Sequence, residues 1–132
     1  MRAARPSELE MQVLGVLWDH GPATVRQILA SLPDRKQRAY TTVLAVMQGM
    51  QRKGLVSPTR EGQTHVFHPT VERGQVVPPV LKTLMQNLFG GDPSRAVQAL
   101  LDSTDVSDEE LKRIRRIINQ AARRPRREEG ES

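Results

Sequence analysis

RKQRAYTTVLAVMQGMQRKGLVSPTR, residues 35–60, carries six basic residues and no acidic one. Val43, Val46, Met47 and Met50 fall on one face at 3.6 residues per turn, so the middle of the stretch reads as a helix. Its opposite face carries Thr41, Ala45, Gln48 and Arg52, small or polar and uncharged until the last of them. Arg35, Lys36, Arg38, Arg52 and Lys53 stand at the two ends. A helix lying in a DNA major groove needs short hydrogen-bonding side chains along its middle, so that its backbone can approach the base edges. It needs cations at its ends, where the phosphates are. The same pattern also describes a half-buried helix with an ordinary solvated face, and this stretch alone leaves both readings open.

The flanking sequence narrows them. Gly54 ends the helix as its C′ residue. Leu55–Thr59 and Thr64–His68 then read as two short strands joined by a turn at Arg60–Gln63, with Pro58 confining the first strand to an edge. Upstream, Ser7 and Glu10 form a capping box that opens a helix with Leu9, Val13, Val16 and Leu17 on one stripe; His20-Gly21-Pro22 stops it. Thr24 and Gln27 cap a second, shorter helix through Val25, Ile28, Leu29 and Leu32, which ends at Pro33-Asp34. Three helices, the third basic and small-faced, followed by a hairpin is the order of a winged helix-turn-helix. Thr41, Ala45 and Gln48 are the candidate base contacts on a recognition helix spanning 39–53. Thr24, Arg26, Arg38, Arg52, Lys53 and Arg60, the last at the tip of the wing (55–68), are candidate phosphate contacts.

From Val71 onward the pattern is helical and too thin for a core of its own. Val77, Leu81, Leu84 and Leu88 form one stripe that ends at Phe89-Gly90-Gly91. Asp92-Pro93 opens a short helix through Ala96, Val97, Leu100 and Leu101. Ser107 and Glu110 form a capping box for a last helix through Leu111, Ile114, Ile117, Ile118 and Ala121, which Pro125 ends. Such stripes need a partner, and a second copy of the chain is the simplest one. The expected dimer interface is Leu81, Leu84, Leu88, Val97, Leu100, Leu101, Leu111, Ile114, Ile117 and Ile118. The fold expected is therefore mainly α with a small β-hairpin. It consists of a winged-helix DNA-binding domain (1–70), a three-helix dimerisation region (71–125) and a disordered tail (126–132).

Composition agrees. The 132 residues carry a formal charge of +5 and a pI near 10.4, which favours a polyanionic partner. Cysteine is absent, which excludes disulfides and thiolate metal sites. No apolar run reaches the length of a membrane span, and MRAARPSELE lacks the apolar core of a signal peptide, so a cytoplasmic protein with no membrane insertion is expected. Four aromatic residues, Trp18, Tyr40, Phe67 and Phe89, are too few for a stacking platform for single strands. His65 and His68 point to opposite faces of a strand and do not converge on a metal. Carboxylates cluster at helix N-termini, where capping explains them, and no catalytic set or cofactor motif appears: no enzyme is expected. A second basic run, Lys112 to Arg127, reads either as a solvated helix face with a tail or as a contact to flanking DNA. Gly49, mid-helix, fits either close packing or close approach to DNA.

Several blocks in order resemble the BlaI/MecI/CopY family of bacterial repressors, the penicillinase and methicillin-resistance regulators with a copper-responsive branch. They are Glu8-Leu9-Glu10 through Val16-Leu17-Trp18, Gly21-Pro22-Ala23-Thr24-Val25, Ala39-Tyr40-Thr41-Thr42-Val43, Arg52-Lys53-Gly54-Leu55-Val56 and Leu88-Phe89-Gly90-Gly91. The resemblance runs from about Ser7 to about Ala122. It implies a dimer that binds a palindromic operator in double-stranded DNA and represses the genes beside it. By position, Tyr40, Thr41 and Thr42 match the start of the recognition helix of that family, which adds Tyr40 and Thr42 to the expected phosphate contacts.

The sequence departs from the family pattern in three places. Without cysteines the copper branch's metal site is missing. Where antibiotic-responsive members are cut by a membrane sensor protease at an Asn-Phe bond, this chain has Ala99-Leu100. Pro78-Pro79 falls where one continuous helix is usual, so a helix start at Pro79, or a kink, is expected. Two alternatives of other kinds fit the same sequence: a winged-helix protein–protein interaction module, and an architectural DNA binder without sequence preference.

Overall fold

The structure, a computed structural model, describes residues 6–125. The tail expected to be disordered, with Arg126 and Arg127 of the second basic run, lies outside the described residues. α1 (Glu8–His20) starts as its sequence dictates: Ser7 Oγ accepts from the Glu10 N–H at 3.2 Å, and the Ser7 N–H donates to Glu10 Oε1 at 2.9 Å. It stops at Gly21, whose φ of 89° and ψ of −178° belong to a region that is essentially glycine-only. Thr24 and Gln27 repeat the reciprocal cap for α2 (Val25–Ser31).

α3 (Tyr40–Arg52) ends in a Schellman turn, with the Gly54 N–H donating to the Gln51 carbonyl at 3.0 Å and the Leu55 N–H to the Met50 carbonyl at 2.9 Å. Gly54 supplies the left-handed residue this motif needs, at φ 79°. β1 (Val56–Glu61) and β2 (Thr64–Pro69) then pair antiparallel, Val56 opposite Pro69 and Glu61 opposite Thr64. β1 runs two residues past the expected Thr59. The turn is therefore the two-residue Gly62-Gln63, the loop length that suits twisted antiparallel strands, and Arg60 sits in the ladder opposite His65. On the far side of β2, the Ala23 N–H reaches the Phe67 carbonyl at 3.1 Å and the Phe67 N–H reaches the Ala23 carbonyl at 2.8 Å. β1, with Pro58, is thus an outer strand.

The apolar stripes meet in one core. Val13, Leu14 and Leu17 from α1, Ile28 from α2, Val43, Met47 and Met50 from α3, and Phe67 from β2 are all nearly or fully buried. Burial on this scale is what fixes α3 against α1 and α2, since about 1.5–3 kcal/mol accompanies each large apolar side chain taken fully out of water. Trp18 closes one side: its Nε1–H donates to the Val71 carbonyl at 2.9 Å. The Arg73 guanidinium lies over the Trp18 ring at 5.3 Å and pairs with Asp19 at 2.6 Å.

These ties hold the start of α4 (Arg73–Phe89), which runs through Pro78 and Pro79 rather than beginning at them. The expected start at Pro79 is therefore corrected to Arg73. Each proline removes one donor, from the carbonyls of Gly74 and Gln75. Both residues are exposed, so water can take the vacant bonds.

The chain divides into two compact units between Leu84 and Met85. In the second, Asp92 caps α5 (Pro93–Ser103) through the Ser94 N–H at 3.0 Å, and Ser107 caps α6 (Asp108–Arg123) through the Glu110 N–H at 3.1 Å. Only half of the box expected at Ser107 forms, because the Glu110 carboxylate pairs with Arg113 one turn on instead of turning back to the cap. None of α4, α5 and α6 has a buried residue. Three helices, a bridge segment between α1 and α2, and a hairpin make the first unit a winged helix-turn-helix.

Candidate nucleic-acid interface

α3 turns Val43, Met47 and Met50 into the core, and the helical period then forces the opposite stripe outward. Thr41, Ala45, Gln48 and Arg52 are all exposed, as is Thr42 beside them. This face is short-chained and uncharged from Thr41 to Gln48. At Gly49, only Arg52 Nη2 would come within reach of an added Cβ, at 3.6 Å, an ordinary contact with a flexible side chain. Packing within the chain therefore does not require a glycine there.

The start of α2 and the hairpin flank this helix. Thr24 is half-buried, with its hydroxyl spent on the cap of α2. The exposed Arg26 lays its guanidinium over the Tyr40 ring, 5.2 Å from the centroid. Tyr40 is 41% exposed, stacked rather than buried against α2. A cleft of about 270 Å³ joins these residues to the wing, with Thr24, Arg26 and Tyr40 on one side and Gln63, Thr64 and His65 on the other. Sequence singles out none of Gln63, Thr64 and His65 as a DNA contact, since it is the bridge between Phe67 and Ala23 that brings this part of the hairpin beside α2. Arg60 is exposed two residues before the first turn residue, Gly62. His68 Nε2 stands 2.8 Å from Thr59 Oγ1.

Two expected phosphate contacts are already paired with carboxylates, and of these Lys53 keeps 38% of its side chain exposed. Arg38 donates from Nη1 and Nη2 to Asp34 at 2.9 and 2.7 Å, and only 15% of its side chain is exposed. The same carboxylate accepts from Gln12 Nε2 at 3.0 Å and from the Lys36 N–H at 3.1 Å. The Arg38 guanidinium, followed by the Lys36 N–H and the Gln12 amide, holds the Asp34 carboxyl well below the usual carboxylate range. At the other end of α3, Lys53 Nζ lies 2.9 Å from both oxygens of Glu10, which is 7% exposed. Burial pushes the Glu10 carboxyl up, but the Ser7 N–H and the Lys53 ammonium outweigh it and leave it below its ordinary value. Asp34 reads from sequence as a helix stop and Glu10 as a cap. The Glu10–Lys53 pair joins residues 43 apart in sequence, which no local pattern carries. Asp34 and Arg38 are four apart, and only the Gln12 bond that fixes Asp34 is distant, at 22 residues.

Among the expected dimer-interface residues, Leu101 and Ile114 are half-buried and the rest are exposed, from Leu111 at 39% to Ile117 at 61% and Leu88 at 63%. Ala99 and Leu100 lie within the helical turns of α5, Leu100 exposed. Among the described residues no helix is long and apolar enough to cross a membrane.

Known proteins share this organisation. The family model described as penicillinase repressor matches residues 6–120. The transcriptional regulator BlaI of Mycobacterium tuberculosis is 36% identical over 77 residues, 58% of this chain and 56% of that protein, so the match spans little more than half of the relative's length. The methicillin resistance regulatory protein MecI of Staphylococcus aureus is 19% identical over 113 residues, 86% of this chain and 92% of that protein. Among solved structures, MepR, a transcription regulator of the Staphylococcus aureus multidrug efflux pump MepA, superposes with a TM-score of 0.51 at 18% identity. It covers 89% of this chain and 78% of its own, a likeness of fold.

Proposed function

Because this chain belongs to the penicillinase repressor family, we propose that it is a transcriptional repressor that binds a palindromic operator in double-stranded DNA as a homodimer. The observation that carries this is the outward stripe Thr41, Ala45, Gln48 on α3, uncharged and short, with the exposed cations Arg26, Arg52 and Arg60 around it. Gln48 can bond an adenine edge bidentately, and Ala45 and the Thr41 methyl can touch a thymine methyl. Arg26, Arg52 and Arg60 meet phosphates, with Tyr40, Thr42 and Thr24 positioning the backbone beside them.

Dimerisation is supported by the exposed leucines and isoleucines of α4, α5 and α6, an apolar surface that a solitary chain would leave in water. A C2 dimer presents two copies of α3 to the two half-sites of a palindrome. The place of action is then the cytoplasm, with the operator. Cleavage at Ala99-Leu100 by a membrane sensor protease would end repression by severing α6 and the end of α5 from the rest. It would require local unwinding of α5, because both residues are within the helix.

Anisotropy titration of the purified full-length chain against labelled duplex DNA over a range of salt tests the reading. Log affinity should fall linearly with log salt, with a slope of about −0.9 per phosphate contact. Absent or salt-independent binding would overturn it.

A further inference from the structure

Two cations at the two ends of the helix that faces DNA are each held by a carboxylate, Arg38 with 15% of its side chain exposed and Lys53 with 38%. We propose that Asp34 and Glu10 act as internal surrogates for phosphate, occupying Arg38 and Lys53 and so limiting the sequence-independent part of the chain's affinity for DNA. The inference rests on the DNA-binding reading above and refines it.

The geometry separates these pairs from ordinary surface ion pairs, which exchange readily and count for little. Asp34 is fixed from several sides. Gln12 of α1 donates to Oδ2 at 3.0 Å, the Lys36 N–H donates to Oδ1 at 3.1 Å, and the Asp34 N–H donates to Gln12 Oε1 at 3.4 Å. The carboxylate therefore cannot swing away with its partner. Arg38 meets it through both terminal nitrogens, a bidentate charge-assisted contact. To reach a phosphate, Arg38 would have to break both bonds and leave a carboxylate facing the polyanion. Glu10 is fixed likewise, by the Ser7 N–H at 2.9 Å and by burial, and Lys53 Nζ bonds both of its oxygens. Each pair is neutral as a unit, so neither adds to the count of phosphates neutralised. Among the described residues, Arg52 beside Lys53 has no such carboxylate partner.

The test removes charge and keeps shape. Asp34→Asn retains an Oδ1 acceptor for the Lys36 N–H. Glu10→Gln retains a residue that serves equally at the third position of a capping box. Salt titrations on one random-sequence duplex are compared for wild type, each single variant and the double variant Asp34→Asn/Arg38→Gln, with helicity checked by circular dichroism.

The expected result is a steeper slope for Asp34→Asn, by about 0.9 for each protomer on the duplex, which adds about a threefold loss of affinity per protomer between about 50 and 200 mM salt. Glu10→Gln should steepen it similarly and stands in should Asp34→Asn fail to fold. Asp34→Asn/Arg38→Gln should return to the wild-type slope. If Arg38 already meets a phosphate, the double variant falls below the wild-type slope by about 0.9 per protomer instead, and the proposal is overturned. Unchanged slopes for both single variants overturn it too. Wild-type protein that binds no duplex at all refutes the DNA reading itself, a different failure.

Discussion

Gln48 stands at the centre of the exposed stripe with Ala45 one turn before it and Arg52 one turn after. A glutamine so placed carries one donor and one acceptor to a base edge, whereas Arg52 carries only charge. Gln48→Ala should relax base preference at one position in each half-site and cost about 1–3 kcal/mol of specific binding. Site selection with the variant checks this, and an unchanged preference assigns the base contact elsewhere.

Asp34 and Glu10 also make stability depend on acid. Both carboxyls are held below their ordinary values of 3.8 and 4.5 in the folded chain. A depressed carboxyl stabilises the fold above its unfolded value, and the contribution is lost as pH falls through the folded value. Urea midpoints should therefore fall on the acid side, over about pH 5 downward, and Asp34→Asn should flatten that limb. A variant whose acid limb matches wild type would show that this carboxylate does not couple to folding.

At the scale of the element, α3 depends on how it ends. Gly54 at φ 79° completes the Schellman turn and passes the chain to β1. No Cβ would clash there, so backbone conformation alone sets the cost. Gly54→Ala should lose about 1–2 kcal/mol, read as a lower urea midpoint with an unchanged slope. Stability equal to wild type would mean that the turn has another conformation open to it.

The same elements mark what sequence discloses. Caps at Ser7, Thr24, Asp92 and Ser107 announce helices because the side chain and the N–H it bonds are two or three residues apart. The Gly54 stop and the period-two hairpin are equally local. Pro78-Pro79 misleads because the ring's local cost is offset by Trp18 and Asp19, which fasten the start of α4 from more than fifty residues away. Lys53 misleads for the same reason, since its partner Glu10 is 43 residues away. Arg38 pairs with Asp34 only four residues back, but in the turn before α3, where no helical period marks the pair. The outward stripe of α3 is legible because burying Val43, Met47 and Met50 leaves the helix no other way to face.

For the whole molecule, the apolar surface of α4 to α6 is the quantity in need of a partner. If two copies supply it to one another, Ile117→Asp, which places a charge among exposed isoleucines, should convert dimer to monomer in sedimentation equilibrium. The helices of the first unit have their own core and should keep their fold. Linking two half-site contacts multiplies affinity by about 10²–10⁴ without new contacts, so the monomer should lose that factor on a palindrome and little on a half-site. A variant that stays dimeric would move the interface away from Ile117.

The most direct test of a dimeric, sequence-specific repressor is selection of bound sites from random double-stranded DNA by the full-length protein near physiological salt. The account predicts an enriched inverted repeat, its two halves spaced to suit two copies of α3. Enrichment of nothing, with binding that merely fades as salt rises, would contradict it.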